Sequence, residues 1–262
     1  MNSMNKIIAI IQARMGSSRL PGKVLMEICG EPVLAWVVKR ARKAKLIKEI
    51  IVATTIDESD DAIEKFCQAN HIFCFRGSSA DVLDRYYQAA SRYQADVIVR
   101  LTADCPLIDP ELIDNTIAAF LGSFADFAAN RLPPPFQRTY PIGLDVEVVS
   151  MAALERAWKE STALYEREHV MPYIYEKKDR FKVLTIDHDV NYGMYRWTVD
   201  TQEDLDFIQT VVKKMGCRMD FPWKEVIDLL ERYPELMQIN AQVNHKSFTD
   251  VDSRVHSEKK KK

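Results

Sequence analysis

The sequence lacks any apolar run of membrane-spanning length, and its first apolar stretch is too short for a signal-peptide core. It also lacks a CxxC pair, and its odd count of 5 cysteines does not suit a disulfide framework. Neither sign of charge dominates, since the formal net charge is -2 and the pI is about 6.2. We therefore expect a protein of the reducing cytoplasm that has neither a membrane nor a nucleic acid as partner.

Two common phosphate-binding motifs are missing as well. There is no G-x-x-x-x-G-K-[ST] and no G-x-G-x-x-G, so neither a P-loop nor a dinucleotide site is indicated. Internal repeats and glycine- or serine-rich linkers are also absent, while 47% hydrophobic residues in a chain of 262 suffice for one large core. We predict one domain over residues 1–240 with a lobe inserted at 131–190. A polar, disordered tail follows at 241–262 and ends in the solvated charge block Lys259–Lys262.

A cation-rich loop follows the first apolar segment. Ile7–Ile11 is uninterruptedly apolar, as is typical of a strand buried in a parallel sheet. The loop after it mixes small residues with Arg14, Arg19 and Lys23, which suits phosphate oxygens, although a solvated basic loop is the alternative. Such a loop at the carboxyl end of a strand is where open α/β sheets bind ligands. The residues expected to bind nucleotide here are Gln12, Ala13, Arg14, Gly16, Ser17, Arg19 and Lys23.

The next hundred residues alternate between helical and strand patterns. We predict helices at Val33–Lys43, Asp57–Asn70 and Asp81–Tyr93, and strands at Ile50–Thr54, Ile72–Phe75 and Val97–Leu101. This alternation indicates an α/β fold, with a Rossmann-like, mostly parallel sheet covered by helices on both faces. Beyond a proline-rich stretch at Leu132–Tyr140, we predict strands at Gly143–Ser150, Phe181–Asp187 and Tyr195–Val199. Further helices are predicted at Ser150–Lys159, Tyr165–Tyr175, Gln202–Met215 and Pro222–Arg232.

Two aspartates stand at predicted strand ends. Asp104 follows Val97–Leu101 and precedes Cys105-Pro106, whereas Asp200 ends the strand before a helix-start signature. For Asp104 the alternative is an ordinary Asx-turn. Asp187 and Asp189 have the DxD spacing with which some glycosyltransferases hold a metal, but they fall in a predicted turn, where aspartates are common.

The order R-x-G-S-x-R-L-P-G-K at residues 14–23 resembles the signature loop of the cytidylyltransferases that activate acidic sugars. These are the CMP-KDO and CMP-sialic acid synthetases, and the resemblance is strongest to the spore coat polysaccharide biosynthesis protein SpsF group. D-x-P at Asp104 and V-D-T-x-E-D at Asp200 also match, as does E-R-E-H-V-x-P-Y-I-Y from Glu166 onwards. The resemblance covers about residues 5–240 and implies a nucleotide-diphospho-sugar transferase type of fold.

The resemblance also implies ligands for the strand-end loops. It makes Asp104 and Asp200 the ligands of a catalytic Mg²⁺, and it makes them catalytic residues together with Arg14, Arg19 and Lys23. It places Thr102 and Ala103 beside the nucleotide and, on a looser match, assigns Gly77, Ser78 and Arg85 to the cytosine base. A plain helix N-cap at Ser79 or Asp81 is the alternative for that last segment.

The acceptor side is the least determined by motifs. A sugar carboxylate calls for an arginine, and Arg167 is favoured over Arg138 and Arg196, which could be exposed or paired with an acid. Asp145 and Glu147 are expected to share one face of a strand toward the sugar, with salt-bridge acids as an equal alternative. The expected acceptor-binding residues are Arg138, Tyr140, Asp145, Glu147, Arg167, His169 and Arg196.

The expected reaction is attack of an acidic sugar's hydroxyl on the α-phosphorus of CTP, with pyrophosphate leaving toward the basic loop. No general base is assigned. The resemblance further implies a homodimer formed through the lobe. One alternative is a glycosyltransferase of the same fold that uses Asp187 and Asp189. The other is a non-catalytic nucleotide-sensing subunit, which would not require two metal carboxylates.

Overall fold

A computed structural model describes residues 5–132 and 138–244. The strands are β1 (Ile7–Gln12), β2 (Glu27–Ile28), β3 (Glu31–Pro32), β4 (Glu49–Thr55), β5 (Phe73–Gly77), β6 (Val97–Thr102), β7 (Phe127–Ala129), β8 (Glu147–Ser150) and β9 (Val183–Thr185). The α-helices are α1 (Val33–Ala41), α2 (Asp61–Ala69), α3 (Val82–Arg92), α4 (Pro110–Ser123), α5 (Met151–Glu160), α6 (Leu164–His169), α7 (Pro172–Tyr175), α8 (Gln202–Lys214) and α9 (Trp223–Arg232).

The central sheet has seven strands in the order β5-β4-β1-β6-β8-β7-β9. Its first four strands are parallel, β8 runs antiparallel to both neighbours, and β7 and β9 are parallel. Because β1 lies between β4 and β6, with helices on both faces, Ile8 to Ile11 are completely buried. The predicted α/β fold with a mostly parallel sheet is confirmed, and the carboxyl ends of β1, β4, β5 and β6 meet at one edge.

Each face of the sheet carries its own apolar core. Alternate residues of β1 belong to different cores. Ala9 and Ile11 pack with α1, α4, α8 and α9 on one face of the sheet. Ile8 and Ile10 pack with α3, α5 and α7 on the other. The helices therefore cover both faces, as the alternation predicted. No helix among the described residues has both the length and the apolar character to cross a bilayer.

Three predicted elements differ from the structure. The strand predicted from Gly143 begins at Glu147, because Gly143 has a φ of 104° and the Leu144 N–H turns back to the Pro141 carbonyl. Tyr195–Val199 forms only an isolated bridge, since its backbone bonds to Ile142 on one side and to the Asp104 carbonyl on the other. The helix predicted at 165–175 is split into α6 and α7 by Val170, with φ 72°, and by Pro172.

A disulfide joins Cys29 to Cys217 across 188 residues. The expectation that the cysteines form no such bond was wrong for this pair, because the β2–β3 hairpin and the end of α8 come together only in the fold. Cys67, Cys74 and Cys105 are free thiols. A disulfide is unusual in the reducing compartment that the cysteine pattern had indicated.

The disulfide is expected to stabilise the fold by about 2–4 kcal/mol, because it constrains the unfolded chain over a long loop. Urea unfolding with and without dithiothreitol measures this, and Cys217→Ser should remove the response to the reductant. Thiol titration of the denatured, unreduced protein should count the three free cysteines. A count that includes Cys29 and Cys217 would show that the bond does not form in solution.

Candidate active site

The loop after β1 closes on itself around the Met15 carbonyl. That oxygen accepts the N–H groups of Ser17 at 2.9 Å and Gly22 at 2.8 Å, and the Ser17 hydroxyl accepts the Leu20 N–H. Gly22 has a φ of 74°, a conformation that a side chain would strain. The turn ends in a short 3-10 helix, Lys23–Leu25, so that Lys23 is held at the edge of the sheet.

Lys23 connects the two predicted strand-end aspartates. Its ammonium nitrogen lies 2.7 Å from Asp104 Oδ2 and 2.8 Å from Asp200 Oδ1, and its side chain is 9% exposed. Burial alone lowers the pKa of Lys23, but the charges and hydrogen bonds of the two aspartates outweigh burial and raise it. The structure thus brings together three residues that are more than 80 positions apart in sequence.

Two arginines complete the charge around Asp200. Arg19 contacts Asp200 Oδ2 at 3.0 Å, and Arg196 donates to the same oxygen at 2.7 Å. Arg196 also donates hydrogen bonds to both carboxylate oxygens of the buried Asp204, so its guanidinium pairs with two acids. Burial acts to raise the pKa of Asp200, but Lys23, Arg19 and Arg196 together hold it well below its usual range.

The paired aspartates suit a divalent cation. One carboxylate oxygen of each aspartate contacts the same point, which the positively charged Lys23 ammonium occupies. Within residues 5–132 and 138–244, no cluster of three or more His, Cys, Asp or Glu side chains could hold a metal by itself. Two carboxylates with substrate phosphates and water form a typical Mg²⁺ site, so Asp104 and Asp200 fit such an ion only in company with a phosphate ligand.

A cleft opens at the ends of β1, β4 and β5, next to the loop after β1. It is lined by Arg14, Gly16, Thr55, Asp57, Ser59, Asp60, Ser79 and Ala80. Asp60 is 1% exposed and accepts hydrogen bonds from the Met15 N–H and from both Thr54 and Thr55. Sequence analysis did not single out Asp60, because no local pattern shows that it anchors the loop after β1.

Behind the cleft, Arg85 supports the loop that follows β5. Its side chain is 2% exposed and donates to the Ser78 carbonyl at 2.6 Å, and burial lowers its pKa to about 10. A Cβ at Gly77 would lie 2.9 Å from the Phe75 ring and 3.0 Å from the Arg85 side chain, so a larger residue there would have to displace one of them. Arg85 therefore lies under the predicted base-binding loop, and Ser79 and Ala80 line the cleft.

Arg167 also contacts this loop. Its Nε lies 2.9 Å from Asp81 Oδ2, and another of its nitrogens donates to the Trp158 carbonyl at 2.6 Å. Asp81 in turn caps α3 by accepting the Asp84 N–H at 2.8 Å. The Asp81 cap predicted as the alternative is therefore present, and Arg167 braces it.

A buried polar layer continues the site over the face of β6 and β8. Arg100 donates to Gln12 Oε1 at 3.0 Å and forms an ion pair with Glu147, which is 4% exposed. Next to it, Asp145 pairs with both Arg131 and Arg138. Asp145 and Glu147 are thus salt-bridge acids, the equal alternative at the sequence level, and Asp145 lies outside the strand. Sequence analysis missed Arg100 and Arg131.

The remaining predicted residues have mainly backbone or packing contacts. Ala13 and Ala103 tie the strand ends to Ala53 and Gln12, and the Thr102 hydroxyl lies 3.1 Å from the Cys105 sulfur. Tyr140 packs edge-on against His188 and Trp223. His169 is half-buried at the end of α6.

The segment after α9 returns to the cluster. Asn240 is buried and donates to Asp204 and to the Arg196 carbonyl, and the Asn244 carbonyl accepts from Arg19 at 3.2 Å. Residues 241–244 open the segment predicted as a disordered tail, and they form a turn at 241–242 followed by the Asn244 contact with Arg19. The rest of that predicted tail, including Lys259–Lys262, lies outside the described residues, as do residues 133–137 of the proline-rich stretch.

Comparison with known proteins gives consistent results. The sequence model of the family described as Cytidylyltransferase matches residues 8–248. The spore coat polysaccharide biosynthesis protein SpsF of Bacillus subtilis is 36% identical, over 88% of this chain and 97% of that protein. The structure of a cytidylyltransferase from Leptospira borgpetersenii superposes with a TM-score of 0.85 at 34% identity, covering 92% of this chain and 100% of that one.

A more distant structure shares the fold. It is a CMP:2-keto-3-deoxy-manno-octonic acid synthetase complexed with CTP, with a TM-score of 0.61 at 18% identity, over 80% of this chain and 99% of that one. At this level of identity the likeness concerns the sheet and its helices alone.

Proposed function

Because this chain belongs to the cytidylyltransferase family, whose reaction is CTP-dependent nucleotidyl transfer, we propose that it transfers CMP to an acidic sugar with release of pyrophosphate. The product would serve the synthesis of a surface polysaccharide or glycan. The observation that supports this most is the convergence of Arg19 and Lys23 with Asp104 and Asp200 at one sheet edge. Cations for a triphosphate and carboxylates for a metal meet there, as phosphoryl transfer requires.

Different parts of the site are proposed to bind the nucleoside, the pyrophosphate and the cation. Arg14 and Gly16 line the cleft together with Ser79 and Ala80, so the nucleoside is proposed to lie there, over the loop that Arg85 and Arg167 brace. Lys23 and Arg19 lie at the opposite end of the same loop and would neutralise the leaving pyrophosphate. A divalent cation, proposed to be Mg²⁺ bound by Asp104 and Asp200, supplies further charge neutralisation at the phosphates when bound.

The acceptor is proposed to bind over the polar layer next to β8. Arg131 and Arg138 share the single carboxylate of Asp145, and Arg100 is matched by Glu147, so this layer holds one more cation than acids. An acceptor carboxylate would balance that charge, and guanidinium forks suit it. We place it at Arg131 and Arg138, because Arg167 and Arg196 are engaged with aspartates.

A glycosyltransferase remains the competing function on this fold. It would need Asp187 and Asp189 to hold a metal, and Asp187 accepts a hydrogen bond from the Thr139 hydroxyl. The pairing of Asp104 with Asp200 favours cytidylyl transfer instead. We further propose a homodimer through residues 131–190 and a cytoplasmic location. Sedimentation analysis and cell fractionation test these two proposals.

Arg167→Gln is expected to raise KM for CTP roughly fivefold, since the lost pair with Asp81 is part-exposed and contributes about 1 kcal/mol. KM for the acceptor should stay the same, because Arg167 holds the loop on the nucleotide side. Arg92→Gln, an exposed change on α3, is the control. Steady-state kinetics in which each substrate is varied in turn measures both KM values. A rise in KM for the acceptor alone would show that Arg167 binds the sugar.

The test of the proposed function is pyrophosphate release measured with each of the four nucleoside triphosphates and a panel of acidic sugars, including nonulosonate- and KDO-like acids. Release should require CTP together with one acidic sugar. Matched neutral sugars, which lack the carboxylate, are the control acceptors. Turnover of neutral sugars alone, or consumption of a nucleotide sugar, would overturn the acceptor assignment or favour the glycosyltransferase.

A further inference from the structure

The cations and acids around Asp200 form a balanced set. Three cations, Lys23, Arg19 and Arg196, face three carboxylates, Asp104, Asp200 and Asp204. Arg196 is fixed by the buried Asp204, and Arg19 is tied to the Asn244 carbonyl. Lys23 is the member that contacts both Asp104 and Asp200, and its contacts are single hydrogen bonds from one nitrogen on a flexible stem.

We propose, resting on the proposed function, that Lys23 and the divalent cation exclude each other at Asp104 and Asp200, so that metal and triphosphate must bind together. The Lys23 nitrogen lies where both carboxylates converge, the place that suits a cation shared between them. Asp104 and Asp200, if they held a divalent ion there, would no longer be available to the Lys23 ammonium, which the ion would also repel. Lys23 is then left without a counter-charge in a site where its side chain is 9% exposed.

A triphosphate removes that penalty. Its oxygens offer the displaced ammonium new acceptors at the same loop, where Arg19 already stands beside Asp200. The cation without nucleotide must therefore compete with Lys23, whereas the cation with nucleotide need not. By linkage, CTP raises the affinity for the cation and the cation raises the affinity for CTP by the same factor. Lys23 thus couples binding of the cation to binding of CTP, in addition to contacting phosphate.

The test measures Mn²⁺ binding to the protein without nucleotide, by electron paramagnetic resonance of the free ion. Lys23→Met, which keeps the stem and removes the charge, should bind Mn²⁺ about tenfold or more tightly than the wild type. Lys39→Met, which removes an exposed lysine paired with Glu31, should behave as wild type. Adding Asp104→Asn to Lys23→Met should cancel the gain, which places the ion at the aspartates.

Equal or weaker Mn²⁺ binding by folded Lys23→Met would overturn the proposal. If that variant does not fold, the test uses the wild-type protein. Water proton relaxation then distinguishes free Mn²⁺, Mn–CTP and the ternary complex. Wild type should bind Mn²⁺ much more tightly with CTP than alone, and CMP should not substitute. Tight Mn²⁺ binding without nucleotide would contradict the proposed competition between Lys23 and the cation. Since neither measurement uses an acceptor, failure of the acidic-sugar assignment would leave this result intact, and the reverse also holds.

Discussion

Replacing Asp104 or Asp200 by asparagine is expected to lower kcat on the order of 10²–10³-fold, the loss seen when one preorganised electrostatic contact is removed. The amide keeps the shape of each side chain but removes the charge that faces Lys23. Both carboxylates are partly accessible, with side chains 25% and 18% exposed, so a ligand can reach them. Initial rates of pyrophosphate release at saturating CTP and Mg²⁺ measure the effect.

Asp206→Asn is the matched control, because Asp206 lies exposed on α8, a few residues beyond Asp200. It should retain wild-type kcat. Thermal unfolding should show that all three variants remain folded. If Asp104→Asn turned over at the wild-type rate with saturating metal, the assignment of this carboxylate to the reaction would be wrong.

The second large effect concerns stability. Arg100→Met is expected to reduce the free energy of unfolding by about 3–5 kcal/mol, because it leaves Glu147 buried without its ion-pair partner. Burial alone would lower the pKa of Arg100, yet the charge and hydrogen bond of Glu147, together with Tyr86 and Tyr175, raise it. Urea unfolding at neutral pH measures the change through the midpoint at constant slope.

Two further variants test whether the stability lost in Arg100→Met comes from leaving Glu147 charged and unpaired or from losing other contacts of Arg100. Arg100→Met combined with Glu147→Leu should recover most of the stability, since the two paired charges are then removed together and neither is left buried alone. Lys159→Met breaks an exposed pair with Glu155 and should cost less than about 1 kcal/mol. A double variant as unstable as Arg100→Met alone would mean that Arg100 acts through its bonds to Gln12 instead.

The features that sequence could predict are those with a local signature. The apolar run of β1, the small and basic loop after it, and an aspartate just beyond β6 each follow from residue type and spacing, whereas the segment before Asp200 forms only an isolated bridge in place of the predicted strand. Parallel strands end at a common edge, so the meeting of Asp104 with the loop could be anticipated from the alternation alone. The contact of Lys23 with both aspartates is a more detailed consequence of the same placement.

The features that sequence could not predict depend on distant partners. Arg100 lies among apolar residues of β6, and only its pairing with Glu147 across the β6–β8 ladder explains a cation there. Cys29 meets Cys217, and Asn240 meets Asp204, through the packing of α8 and the segment after α9. Arg167 was assigned to the sugar from its charge, whereas its contact with Asp81, 86 residues earlier, ties it to the loop beside the cleft.

The most direct measurement is ³¹P NMR of CTP incubated with the protein, Mg²⁺ and an acidic sugar. The account predicts that the triphosphate signals are replaced by equal amounts of pyrophosphate and a CMP phosphodiester bonded to the sugar. Asp104→Asn should leave the CTP signals almost unchanged over the same time. Equal product from UTP, loss of phosphate without a phosphodiester, or undiminished conversion by Asp104→Asn would contradict cytidylyl transfer at this site.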